Sequence, residues 1–120
     1  MPKKSPEQKA EEERRYILAS GAANTAELEP FLTDSNQSIR ATAAMNPDAD
    51  AEILDRFAND KFWGVRIEVV GHPNVSEVTL RRLLEARVSK RGVVHHVAHT
   101  KLLERGIEFG EDIMLLDMRK

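Results

Sequence analysis

Sliding the sequence against itself by 26 residues brings basic, apolar and proline positions into register together. Arg14, Arg40 and Arg66 superpose, as do Leu28, Leu54 and Leu80, the set Phe31, Phe57 and Leu83, and the pair Pro47 and Pro73. A unit of this length holds two short helices and a turn but no core of its own. Its apolar stripe has to be buried against neighbouring units, and this restricts the chain to stacked-repeat architectures.

The same shift superposes Asn24, Asp50 and Ser76, residue types whose side chains accept hydrogen bonds from the free N–H groups of a helix start. After each cap comes an i, i+3, i+4 apolar pattern: Leu28-Phe31-Leu32, Leu54-Phe57-Ala58 and Leu80-Leu83-Leu84. Each is one buried stripe of a short amphipathic helix, the B helix of its unit. Between them lie Ser38–Met45 and Gly64–Gly71, with small or branched residues at Ile39, Ala43, Ala44 and at Val65, Val69, Val70. These are the A helices. Asn46-Pro47 and His72-Pro73 end them, since proline lacks the N–H a helix needs and drives its predecessor out of the α region.

Ser5-Pro6-Glu7-Gln8 reads as a capping box opening an N-terminal helix that runs to about Ser20. Pro30, six residues past the Asn24 cap, predicts a first B helix that is short, 3₁₀-like or kinked. The fourth A-type segment, Val93–Ala98, fits at a shift of 28, which places a two-residue insertion near Ser89-Lys90-Arg91. A separate helix around Glu111–Met118 is expected to cap the last repeat. The repeats fall at about 13–38, 39–64 and 65–92, with a partial unit 93–106 and a cap 107–120, all within one domain, 1–120.

With 5% aromatic residues, the core has to be built from Leu, Ile, Val and Ala, which favours close-packed helices over an aromatic-rich sandwich. The absence of cysteine removes disulfides, thiolate metal sites, iron–sulfur clusters and cysteine nucleophiles, so that only His, Asp and Glu could hold a metal. No apolar run approaches the ~18 residues of a membrane span. The charged start, MPKKSPEQKAEEERR, lacks the apolar stretch of a secretion signal, which gives a cytoplasmic location as the expectation.

Ser38–Arg66, SIRATAAMNPDADAEILDRFANDKFWGVR, resembles one complete unit of the leucine-rich repeat variant family, whose pattern runs roughly V-R-x-x-V-A-x-N-P, a leucine-bearing helix ending in Asp, then the next V-R. The likeness extends more weakly to 13–38 and 65–86, and HEAT-like repeats are similar nearly as closely. The resemblance implies an all-α, right-handed solenoid with a concave and a convex face, generally used for binding. The founding type of the family carries an iron–sulfur cluster on cysteines, which does not transfer to a chain without them. The motif Asn46-Pro47 becomes His72-Pro73 in the next unit and is lost in the one after.

Asp34 precedes Arg40 by six residues and Asp60 precedes Arg66 by six, an arrangement that resembles the Asp–Arg ladder linking neighbouring HEAT-type units. At the equivalent positions of the next unit stand Ala86 and Gly92. A structural role is favoured for the four charged residues, because charge without a partner is rarely buried. Residues 81–101 hold Arg81, Arg82, Arg87, Lys90, Arg91 and Lys101 against Glu85, a local balance of +5 in a chain of net charge −2. Such a strip could follow phosphates by charge neutralisation, or simply form a solvated helix face. Trp63, the single tryptophan, stands before an A helix, where it either packs or marks a binding surface. His95 and His99 are four apart on a helix and could reach one metal with His96, Glu68 or His72 as third ligand. They lack the adjacent Glu of H-E-x-x-H, so solvated or interface histidines without metal are expected.

No G-x-S-x-G, P-loop, dinucleotide-binding glycine motif or zinc deaminase signature occurs, so no enzyme and no cofactor are expected. The expected function is non-catalytic binding of another macromolecule, in first place a protein, as an adaptor or inhibitor, with Trp63, Arg81, Arg82, Arg87, Lys90 and Arg91 as candidate contact residues. Nucleic-acid binding through the 81–101 strip is the alternative.

Overall fold

The computed structural model describes residues 3–85 and 92–107. Helix α1, Pro6–Gly21, opens on Ser5, whose hydroxyl accepts the Gln8 N–H at 3.1 Å while the Gln8 side chain accepts the Ser5 N–H at 2.8 Å. This is the reciprocal capping box, with Pro6 at a position where a missing N–H costs nothing. There follow α2 (Thr25–Leu28), a 3₁₀ turn (Glu29–Thr33), α3 (Gln37–Met45), α4 (Ala51–Phe57), α5 (Trp63–Gly71), α6 (Glu77–Glu85) and α7 (Val93–Glu104). The described residues contain helices and no strand. No helix among them is long and apolar enough to cross a membrane.

All three predicted caps act at helix starts. Asn24 accepts the Glu27 N–H at 2.9 Å, Asp50 the Ile53 N–H at 2.9 Å, and Ser76 the Thr79 N–H at 3.1 Å. Pro30 has the expected effect: α2 lasts four residues and passes into the 3₁₀ turn, whose tighter winding accommodates a residue without an N–H. Asn46 and His72 leave the helical region with ψ of 126° and 135°, as residues before proline do, and so end α3 and α5.

The odd-numbered helices form a row, α1 against α3, α3 against α5 and α5 against α7. Ala43 and Ala44 of α3 and Val65, Val69 and Val70 of α5 are fully buried in this row, where short or stiff side chains let helix axes approach closely. Leu28, Leu54, Leu80 and Leu84, with Phe31, Phe57 and Leu83, complete the same core from the capped stripes. In α7 the buried positions are His95, Ala98 and Leu102. The helix ends in a Schellman turn: Ile107 N–H donates to Leu102 O at 3.0 Å and Gly106 N–H to Leu103 O at 2.9 Å, with Gly106 at φ +87°. The insertion expected near Ser89 and the cap helix expected at Glu111–Met118 lie outside the described residues.

Candidate functional site

Two polar ladders flank the row of helices. The first begins at Arg15, whose Nε donates to Asp34 at 2.9 Å. The 26-residue register points to Arg14 instead, but Arg14 is turned to solvent and pairs with Glu11 at 2.8 Å. Arg40 makes the complete rung. Its Nε and Nη2 donate to the two carboxylate oxygens of Asp60 at 2.7 and 3.2 Å, and its Nη1 donates to the main-chain oxygen of Asp34 at 2.7 Å. The ion pair therefore joins Arg40 to the acid twenty residues on, while the acid six residues before it supplies only a carbonyl. Asp34 and Asp60 each also accept a local N–H, from Asn36 and Phe62, both at 2.9 Å. Arg66 repeats the main-chain half of this arrangement, Nη1 to Asp60 O at 2.7 Å.

The second ladder occupies the other ends of α1, α3 and α5. The buried amide of Asn46 donates to the carbonyls of Ala19 at 2.9 Å and Ala22 at 2.8 Å, filling the acceptors left open where α1 ends. Asn46 O in turn accepts from His72 Nε2 at 2.7 Å, and His72 Nδ1 accepts the Asn74 N–H at 3.0 Å. A carbonyl only accepts and an amide N–H only donates, so these two contacts fix the neutral imidazole with its proton on Nε2. Sequence reasoning read Asn46 and His72 as helix ends, and His72 also as a possible third metal ligand, but not as ladder residues. The signal present was their shared register immediately before a proline.

Two arginines of the basic strip are committed to neighbours. Arg82 donates to the Asp55 carboxylate at 2.6 Å, to Asp55 O at 2.9 Å and to Asn59 at 2.9 Å, tying α6 to α4. Thr79 donates to the same carboxylate at 2.6 Å, and these two donors, Thr79 first, hold the Asp55 carboxyl below its usual range. Arg81 pairs with Glu77 at 2.9 Å one turn back. Arg87, Lys90 and Arg91 lie outside the described residues.

Trp63 is the first residue of α5 and stays 52% exposed, its ring tilted against Phe62 at a centroid distance of 5.9 Å. It rims a groove of about 530 Å³ between α5 and α7, where Arg66, Leu83, Val93 and His95 also line the walls. Val93 is 50% exposed. The groove thus combines apolar rim residues with a guanidinium, and it unites Trp63 with Arg66, which the sequence assigned to different roles. Of the solvated and interface alternatives for the histidines, His95 takes the second: it is buried, and its Nδ1 donates to Leu84 O at 3.1 Å, joining α7 to α6. His99 is held below the ordinary histidine pKa by desolvation and then by the neighbouring His96. No group of three potential metal ligands occurs among the described residues.

Compared with known proteins, the chain has no match: no family model fits it, and no curated protein or solved structure is significantly similar.

Proposed function

We propose that the chain is a short right-handed α-solenoid of about three helical hairpins, related to the leucine-rich repeat variant and HEAT-like repeats, and that it binds another protein without catalysing a reaction. The row of α1, α3, α5 and α7 and the ladders between successive units support the repeat reading. The observation that carries the function is Trp63, a large rigid side chain left half exposed on the rim of a groove that also holds Val93 and Arg66. Tryptophan and arginine beside apolar surface are the residues that dominate protein interfaces. The engagement of Arg81 and Arg82 with Glu77 and Asp55 leaves less free charge for nucleic acid than the sequence alone suggests. A cytoplasmic setting goes with this proposal.

The test is a photo-reactive amino acid placed at Trp63 and, in a second variant, at Ile17, which is 63% exposed on α1. Both are irradiated in native lysate with and without nuclease. A protein adduct that forms at position 63, survives nuclease and is absent at position 17 supports the proposal. Adducts of equal yield at both positions overturn the groove as the binding surface, and adducts lost with nuclease transfer the function to nucleic acid.

A further inference from the structure

Arg66 reproduces the geometry of Arg40 up to the point where a carboxylate is due. In the complete rung the Nη1 contact to a main-chain oxygen fixes the plane of the guanidinium, and Nε and Nη2 grip Asp60. Arg66 has the same anchor at the same 2.7 Å. The residue twenty positions after Arg40 is Asp60, but twenty after Arg66 it is Ala86. Asp60 is no substitute: its carboxylate holds Arg40 and the Phe62 N–H, and Arg66 reaches only its main-chain oxygen. Nε and Nη2 of Arg66 meet no acceptor among the described residues, and Arg66 lines the groove rimmed by Trp63 and Val93.

We infer that Arg66 anchors a carboxylate-binding subsite, in which its Nε and Nη2 take an Asp or Glu side chain from an acidic peptide segment of the partner protein. An apolar side chain next to that acid packs on Trp63 and Val93. The inference rests on the protein-binding function above and adds the chemistry of the partner. A guanidinium offers only donors, and its planar fork matches a carboxylate in two parallel hydrogen bonds. With Nη1 already held, little side-chain freedom remains to be lost on binding.

The experiment selects a phage-displayed library of random dodecapeptides on the full chain and re-screens the enriched clones on Trp63→Ala, Arg66→Gln and Arg66→Lys. Each enriched peptide is also made with its acid replaced by the amide, so that one comparison uses only the wild-type protein. The expected result is a consensus with an acid beside an apolar residue and an affinity loss of about tenfold or more on acid-to-amide exchange. Arg66→Gln is expected to erase that ratio, and Arg66→Lys, which keeps the charge without the fork, to restore only part of it. Peptides that need Trp63 but bind equally as acid and amide overturn the carboxylate subsite and leave the groove standing. No enrichment over Trp63→Ala removes the groove and the subsite together. A wild-type dimer in sedimentation equilibrium that Arg66→Gln dissociates assigns the fork to a second copy and overturns the partner peptide.

Discussion

Arg40 carries its charge into a site where its side chain is 9% exposed, opposite Asp60 at 6%. Such a pair holds because every arm of the fork has an acceptor, and removing one partner strands the other in a poorly solvated place. Asp60→Asn is therefore expected to lower unfolding free energy by about 3–5 kcal/mol, measured by urea denaturation. The double replacement Arg40→Met with Asp60→Leu is expected to regain most of that loss, since two apolar side chains leave no charge unpaired. A double variant as weak as the single one would mean that packing, not charge, dominates here. Asp34, Arg40, Asp60 and Arg66 were legible in the sequence as ladder residues, but Arg15 and the connectivity were not. A six-residue spacing within one unit drew attention to Asp34 and Arg40, whereas the ion pair bridges twenty residues through the stacking of α3 on α5. The neutral tautomer of His72 and the burial of His95 were hidden for the same reason, because both depend on carbonyls supplied by other elements.

At the scale of the helices, local chemistry decided most boundaries, and so the sequence revealed them. Ser5, Asn24, Asp50 and Ser76 cap where their side chains can reach free N–H groups, and Pro30, Pro47 and Pro73 act through a missing donor and a fixed φ. The unit expected over 93–106 closes at Gly106, where α7 ends in its Schellman turn. At φ +87° a side chain is strained whatever the space around it, so Gly106→Ala is expected to cost about 1–2 kcal/mol in thermal or chemical denaturation. Gly21, the last residue of α1, has open space where a Cβ would stand and no positive φ. Gly21→Ala serves as the control, with no loss of stability expected. Equal losses at both positions would contradict the Schellman turn as the reason for Gly106.

For the molecule as a whole, acid should act in two stages. His99 has a folded pKa below the ordinary histidine value of 6.5, so its neutral form favours the fold. That contribution is complete above pH 6.5 and is lost as the pH falls through the folded value. The Asp50 carboxyl is held below 3.8 chiefly by the Ile53 N–H, and the Asp55 carboxyl by Thr79 and Arg82. Their contribution is complete above the unfolded value and is lost only as the pH falls below about 4. The urea midpoint followed from pH 8 to 3 should decline first below pH 6.5 and again below pH 4, and His99→Gln should make the first decline shallower while leaving the second unchanged. A wild-type profile flat between pH 7 and 5 would count against the desolvated His99. The two ladders also bear on faults in assembly. Helices as alike as α3 and α5 risk stacking one turn out of step, since alanine and valine surfaces slide past one another at little cost. Helix α3, however, carries Arg40 near one end and Asn46 just beyond the other, each matched to fixed acceptors on a different neighbour. A slip of one turn between α3 and α5, about 5.4 Å, would strand the Arg40 guanidinium and the His72 Nε2–H together. The polar edges thus proofread a seam that its apolar residues alone would leave ambiguous.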